Sequence, residues 1–473
     1  MATRAITPDE HDAVTAHVRR ARAAMEQIAA SDQETFDRLI RAVAWAAGNE
    51  PTAARLAAMS VRESGMGSPE PTRRAKVLGI LRDALRQKSI GIIEEVPERG
   101  IVKYAKPAGV IAALIPVTSP YVTPIGIAIY AIKCGDAVVF SPHPTSRKTT
   151  LETVRLMRSA LSQVGAPVDL LQCVEHPTIP VANALMAACD LTIATGGQPM
   201  VRAAYSSGKP AYGVGAGNAT MVIDETADIE EAARNTRISK TNDYGSGCSA
   251  DGNLLVDSRI YDRFLAQLQA EGGYLVDEKQ KALLRDAYWD ADGRRTSNTI
   301  ARAASVVAAT AGFSLPADKT FLIVEEHEIG KQHLFSTEKL GTVLAIFRYD
   351  GFDDALEKVR AIFETGGKGH SCGIYSFDDD HIDRLARVAP VSRIMVRQVQ
   401  SRANAGTFTN GMPMTSSMGC GIWGGNITNE NISLKHYMNV TWVSRPIPED
   451  RPSEEELFGE FFNNTVLETV GAE

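Results

Sequence analysis

From Val110 onward the chain alternates short apolar runs with helical patterns, and this constrains the fold more than any other feature. The runs are Val110 to Ile115, Ala137 to Phe140, Leu170 to Val174 and Leu191 to Ala194, with helices expected from about Tyr121, from about Arg147, before Leu191 and after Pro199. Short strands buried on both faces and alternating with helices predict a parallel, doubly wound sheet. Ligands of such sheets sit beyond the carboxyl ends of the strands. Ahead of this region, Thr7-Pro8-Asp9-Glu10 reads as a helix start and Ser31-x-x-Glu34 as a capping box, and helical patterns run to about Gln87. Ile90 to Glu95 and Gly100 to Ala105 read as a hairpin turning at Pro97-Glu98-Arg99. After residue 250, strands at Gly252 to Val256, Val343 to Phe347 and Gly373 to Ser376, with helices between, predict a second α/β domain. Tyr437 to Ser444 reads as a last strand and Ser453 to Phe461 as a short tail helix.

Charge and cysteine usage exclude several functions. The net charge is −7 and no long basic run occurs, which argues against nucleic acid or an anionic membrane surface as partner. The six cysteines lie far apart, with no Cys-x-x-Cys pairing, so neither a disulfide scaffold nor a metal site is expected, and the compartment reads as reducing. No leader pattern and no apolar stretch of about 18 residues is present, which predicts a cytoplasmic protein.

The loops after the strands carry the chemistry. Ile115-Pro116-Val117-Thr118-Ser119-Pro120 follows the first strand, Ser141-Pro142-His143-Pro144 the second, and Thr195-Gly196-Gly197 the strand ending at Ala194. Glycine between a strand and a helix lets backbone approach a phosphate at the helix N-terminus, so a nucleotide-type ligand is expected. Gly213-Val214-Gly215-Ala216-Gly217-Asn218 is superficially a dinucleotide fingerprint. Asn218 occupies the third glycine position, however, and a strand at Met221 to Ile223 follows, so the segment reads as a tight turn beside the active site.

Between Ser239 and Asp251 lies a small polar segment with Cys248 at its centre, flanked by Gly245, Gly247, Ser249 and Ala250. Such neighbours leave the sulfur accessible, and local sequence weighs a nucleophile and a structural thiol equally. His370 sits in the turn Gly366-Gly367-Lys368-Gly369, where a solvated histidine is the commoner outcome. Ser401 to Asn426 lacks periodicity and reads as a long ordered loop of the kind that is often functional.

Taken together, these segments resemble the CoA-acylating branch of the aldehyde dehydrogenase superfamily from about residue 10 to 460. The resemblance rests on Lys106-Pro107-Ala108-Gly109-Val110-Ile111, Phe140-Ser141-Pro142-His143-Pro144, Ala194-Thr195-Gly196-Gly197, Ala203 to Ala211 and Gly213 to Asn218, in family order and spacing. It implies an aldehyde-dehydrogenase-like α/β fold: two doubly wound α/β domains plus a small β oligomerisation element. The expected divisions are 1–89 with 106–236 for the dinucleotide, 237–435 for the catalytic cysteine, 90–105 with 436–447 for oligomerisation, and 448–473 as a tail. At least a dimer is expected, either a dimer or a tetramer.

The resemblance also implies a mechanism. Cys248 attacks the aldehyde, hydride passes to a nicotinamide, and the resulting thioester is transferred to the thiol of coenzyme A, the co-substrate. Hydrolytic relatives carry a general-base glutamate where this chain has Gly213, so water lacks its base. His370 matches the histidine of the acylating branch and is a candidate proton shuttle for CoA or Cys248. Ser119 replaces the usual oxyanion-holding asparagine, and Ala250-Asp251-Gly252 replaces the usual continuation after the cysteine. Expected cofactor contacts are Ile115, Pro116, Ser141, His143, Arg147, Thr195, Gly196, Gly197, Gly213, Val214, Gly215 and Glu338, the last matching the family's ribose-holding glutamate. Ser141 and Pro144 stand where NAD-preferring hydrolytic members carry Lys and Glu, which tips the expectation from NAD toward NADP, with Arg147 or Lys148 as partners of a 2′-phosphate.

Arg397 and Arg402, with Arg393 before them, precede the loop that lines the family's aldehyde pocket. Thr118, Thr415, Ser416 and Ser417 supply further donors. An anionic short-chain aldehyde is therefore favoured, with sulfoacetaldehyde ahead of succinate semialdehyde and acetaldehyde third. The alternatives are an ordinary hydrolytic aldehyde dehydrogenase, which Gly213 disfavours, and a catalytically silent scaffold subunit, which the intact cysteine disfavours.

Overall fold

The computed structural model describes residues 4–462; the rest of the expected tail, 463–473, lies outside the described residues. Two antiparallel strands, β1 (Gly91–Val96) and β2 (Ile101–Pro107), form the expected hairpin around a 3₁₀ turn at Pro97–Arg99. The first sheet contains β3 (Val110–Leu114), β4 (Ala137–Ser141), β5 (Leu171–Cys173), β6 (Leu191–Thr195) and β7 (Ala211–Val214). All five are parallel, in the order β5-β4-β3-β6-β7. β3 and β4 are buried along their whole length, which their unbroken apolar sequence requires.

The helical layer covers this sheet. Helix Pro8–Ile28 starts at a capping box in which the Thr7 side chain accepts from Glu10 N–H and Glu10 reaches back to the Thr7 N–H, an arrangement contributing about 1 kcal/mol. The second helix, Gln33–Gly48, is capped by Asp32, whose carboxylate accepts from Thr35 N–H, and not by Ser31 as the sequence suggested. A carboxylate one residue further on meets the same positive helix end and wins the position. Helix Val122–Lys133 is buried on every side between β3 and the helices Gln33–Gly48 and Arg74–Leu85. Gly126 permits that packing, since a Cβ there would lie 2.8 Å from Ile80 Cδ1.

The second sheet contains β8 (Thr220–Ile223), β9 (Asn253–Asp257), β10 (Gly273–Leu275), β11 (Phe321–Glu325), β12 (Val343–Tyr349), β13 (Cys372–Tyr375) and β14 (Ile394–Val396). It is parallel, in the order β10-β11-β12-β9-β8-β13-β14. Because β8 pairs with β9 and β13, the chain passes from the first sheet to the second between Val214 and Thr220, not at residue 236 as the sequence division had it. β8 is short and apolar like the strands before it, so only pairing reveals where it belongs. The last strand, β15 (Met438–Ser444), returns to lie antiparallel to β2 and completes a three-stranded sheet outside both cores. Trp442, Val440 and Val443 are exposed on it.

Candidate active site

The cysteine loop is built by tension at its start and a clamp at its neck. Helix Ile229–Thr241 ends, and Asp243 (φ 50°) and Tyr244 (φ 51°) then take left-handed backbone before Gly245 (φ 67°). Non-glycine residues there cost roughly 1 kcal/mol or more each and persist where surrounding contacts hold them. At the neck, Ser239 Oγ donates to Asp251 Oδ1 at 2.9 Å, Lys240 Nζ donates to the Asp251 carbonyl at 2.7 Å, and Ser401 N–H donates to Ser239 Oγ at 3.0 Å. Asp251 thus closes the loop behind the cysteine. The loop tip packs on the first turn after β7, where a Cβ on Gly217 would lie 2.0 Å from the Cys248 carbonyl oxygen. Glycine at 217 is a requirement of this close approach.

His370 reaches the sulfur from the opposite side. Gly367 and Gly369, both at φ 81°, turn the chain so that His370 Nε2 lies 3.0 Å from Cys248 Sγ, while its Nδ1 lies 2.8 Å from Ser371 Oγ. Arg393 fixes this turn from below, donating to the carbonyls of His370, Gly419 and Asn429 at 3.0, 2.6 and 2.9 Å, so it is a staple and not a substrate contact. Burial holds the imidazole down at about 3 and pushes the thiol up to about 12, with Glu338 and Cys420 adding to the rise and Lys76 and Arg73 opposing it. The resting pair is therefore neutral thiol and neutral imidazole, and His370 Nε2 is free to accept the thiol proton.

Cys248 opens on a cavity of about 890 Å³ that runs between the two sheets. Pro116, Thr118, Ser119, His143, Thr195, Gly196, Gly197, Val214, Gly215, Glu338, Arg397, Arg402 and Ser416 line it together with the cysteine. Ile115, Ser141, Arg147, Gly213 and Thr415 do not. Ile115 and Ser141 are buried in the sheet, where Ile115 N–H donates to the Ser141 carbonyl at 3.0 Å. Arg147 turns away to donate to the Glu175 carbonyl at 3.0 Å. The Thr415 hydroxyl is engaged within its own loop, donating to the Ile432 carbonyl at 2.6 Å.

Gly213 faces the aromatic ring of Tyr205. A Cβ on Gly213 would lie 2.7 Å from Val201 Cγ1 and 2.9 Å from Tyr205 Cε2, and the Tyr205 hydroxyl accepts from Gly213 N–H at 3.0 Å. A glutamate at this position has no room unless Val201 and Tyr205 move, so position 213 supplies no base for water.

The arrangement fits a nicotinamide dinucleotide. Gly197 precedes helix Gln198–Tyr205, whose N-terminus opens on the cavity, and the Glu338 carboxylate, which accepts from Gly217 N–H at 2.9 Å, stands on the wall near Cys248. Burial lifts Glu338 to about 7. Bound in the site, the nicotinamide supplies a hydride acceptor. The protein's own residues there are a thiol with an imidazole beside it and two free donors, since neither the Cys248 N–H nor the Ser119 hydroxyl has a partner among the described residues and both residues line the cavity.

Three further residues at or near the site come from the helical layer and carry no local signal. Lys76 lies on the cavity wall, and its ammonium has no hydrogen-bond or ion-pair partner among the described residues. Burial, and then the charge of Arg73, pull it down to about 8. Arg73 lines the same wall. Glu63, the third, accepts from Lys148 N–H at 2.6 Å and from Thr149 N–H at 2.8 Å, capping helix Arg147–Gln163 from another element. Only the three-dimensional fold brings these side chains to the loops.

A two-sheet α/β molecule with a cysteine, its histidine and a dinucleotide cleft between the sheets defines an aldehyde-oxidising dehydrogenase of the thioester-forming kind. The chain belongs to the aldehyde dehydrogenase family, which residues 4–279 match, and within it to the CoA-acylating branch. It is 42% identical over 452 residues to a sulfoacetaldehyde dehydrogenase of Acholeplasma sp, covering 94% of this chain and 93% of that protein. With the acetylating succinate-semialdehyde dehydrogenase of Clostridium kluyveri it shares 34% identity over 449 residues, 93% of this chain and 98% of that one. An acetylating aldehyde dehydrogenase from Geobacillus thermoglucosidasius superposes with a TM-score of 0.89 at 35% identity, covering 94% and 99% of the two chains. A propionaldehyde dehydrogenase of Rhodopseudomonas palustris, solved with bound CoA and an acylated cysteine, superposes at 0.81 with 26% identity, covering 91% and 97%. The chain is an oxidoreductase acting on aldehydes.

Proposed function

We propose that the enzyme oxidises sulfoacetaldehyde to its acyl-CoA through a Cys248 thioester. The observation that carries the substrate is the charge of the cavity wall: Arg73, Lys76, Arg397 and Arg402 line it against a single carboxylate, Glu338. Among these, Arg397 lies over the Phe377 ring at 3.9 Å and Arg402 is exposed, whereas Lys76 is unpartnered. Lys76 is therefore the group we assign to the anionic end of the aldehyde. Kinship with sulfoacetaldehyde dehydrogenases favours a sulfonate over the carboxylate of succinate semialdehyde. Acylation begins as the thiol proton passes to His370 and the sulfur adds to the carbonyl, whose oxygen meets Ser119 and the Cys248 N–H. After hydride loss the thioester persists, because position 213 carries no base, until the CoA thiol displaces Cys248.

The test follows nicotinamide reduction with sulfoacetaldehyde, succinate semialdehyde and acetaldehyde, with and without CoA, in the intact enzyme and in Cys248→Ala. Steady turnover that needs CoA and Cys248 and is fastest with sulfoacetaldehyde is expected. Release of free acid without CoA would overturn the acylating step, and preference for acetaldehyde would overturn the anionic substrate.

For the cofactor we propose NAD. The lean toward NADP rested on the absence of an acid near Pro144, yet Glu63 places a carboxylate on the first turn of the helix that follows, where a 2′-phosphate would be repelled. Glu63→Gln is expected to raise the NADP to NAD ratio of kcat/KM by roughly tenfold. An unchanged ratio removes Glu63 from cofactor choice.

We also propose at least a dimer built on the outer strands, where β15 exposes Trp442 and Val443; sedimentation as a monomer at micromolar concentration would refute it. A cytoplasmic location fits six free cysteines and is read by cell fractionation. Among the described residues no helix is long and apolar enough to cross a membrane.

A further inference from the structure

The segment from Gly65 to Arg73 straps the helical layer of the first domain onto the second. Gly67 N–H donates to the Ala301 carbonyl at 2.9 Å, and Ser68 N–H donates to Asp243 Oδ1 at 2.7 Å. At the end of the strap Arg73 makes three contacts on two catalytic loops. Its guanidinium donates to the Thr118 carbonyl at 3.1 Å, next to Ser119. It pairs with Asp243 Oδ2 at 2.7 Å and donates to Ser246 Oγ, which itself donates to Asp243 at 2.6 Å. Ser246 is two residues from Cys248. The side chains of Arg73 and Asp243 are 15% and 11% exposed, so water competes little for these bonds.

We infer that Arg73 is a positioning residue that sets the Ser119 hydroxyl and the Cys248 N–H at the spacing one carbonyl oxygen needs. The two donors belong to loops of different domains, and Arg73 bonds both loops at once. Left-handed backbone at Asp243 and Tyr244 makes the cysteine loop costly to hold, and the Asp243 carboxylate, fixed by Arg73 and Ser68, restrains it there. A guanidinium suits the task because its planar fork reaches several acceptors together, which an ammonium does not.

The inference rests on the thioester mechanism proposed above, and its test is independent of aldehyde, CoA and nicotinamide. Acylation of Cys248 by p-nitrophenyl acetate passes through an oxyanion: the sulfur–carbonyl bond forms, p-nitrophenolate leaves, and the thiol proton passes to His370. Alkylation by iodoacetamide uses the same sulfur with no oxyanion. In Arg73→Ala the p-nitrophenolate burst is expected to slow by roughly ten- to a hundredfold, with alkylation changed by less than about threefold. Arg73→Lys is expected to recover part of the burst. Equal slowing of both reactions makes Arg73 merely structural and overturns the inference, as does an unchanged burst. Where Arg73→Ala does not fold, Ser246→Ala, which removes one limb of the bridge, is read the same way, and an unchanged burst there overturns the inference too. Free acid from aldehyde without CoA would instead defeat the acylating reading while leaving the burst comparison intact.

Discussion

Replacing His370 by alanine is expected to lower kcat by about a hundred- to ten-thousandfold while leaving nicotinamide affinity nearly unchanged. Among the described residues the imidazole is the one base within hydrogen-bond reach of the sulfur, at 3.0 Å, and its other nitrogen meets only Ser371. In the proposed mechanism both half-reactions move a thiol proton, from Cys248 at first and from CoA later, so single-turnover hydride transfer and thioester transfer should both slow. The pH dependence follows from the same pair. His370, held at about 3, is neutral throughout the working range, and Cys248, raised to about 12, is a thiol. Alkylation of Cys248 in the intact enzyme should then rise about tenfold per unit from roughly pH 7 upward, with no plateau near neutrality. A plateau there would show a standing thiolate–imidazolium pair, and a kcat for His370→Ala within about tenfold of normal would remove the histidine from proton transfer.

Lys76→Met should separate anionic from neutral aldehydes. Loss of a charge-assisted contact worth about 1.5–3 kcal/mol raises KM for sulfoacetaldehyde by roughly ten- to a hundredfold, while acetaldehyde, with no anionic end, is little affected. Because Lys76 is held at about 8, the KM of the anionic substrate should also climb as pH rises above that value and the ammonium loses its proton. Equal changes for both aldehydes would show that Lys76 shapes the cavity without reading charge, and would return the role to Arg397 and Arg402.

Much of this was legible in the sequence because some residues state their roles locally. The apolar runs of β3, β4 and β6 are too short for helices and too unbroken for surface strands. Glycines in the Gly213 to Asn218 segment and around Cys248 and His370 marked places where backbone could bend or approach, and the structure uses them so at Gly217, Gly245, Gly367 and Gly369. Other features have no local signature. β10 and β14 are three residues each and borrow their stability from neighbouring strands. Thr415 was expected as a donor to the substrate because its loop resembles the one lining the aldehyde pocket, yet its hydroxyl is spent on the Ser417 and Ile432 carbonyls. Lys76 and Glu63 sit in helices whose periodicity announces only which face is buried, and Arg73 ends the segment between those two helices. The partners of Arg73 and Glu63 lie far along the chain, and nothing in a helix's own sequence says which loop it will meet.

The packing of Tyr205 against Gly213 also bears on energy conservation. A thioester drained by water would release the free energy of aldehyde oxidation as heat and make the overall conversion a one-way process. In the proposed mechanism the contact, by leaving no room for a base at position 213, lets that free energy pass into the acyl–sulfur bond of the product. The reaction then stays near balance and runs either way, its direction set by the ratios of reduced to oxidised nicotinamide and of acylated to free CoA.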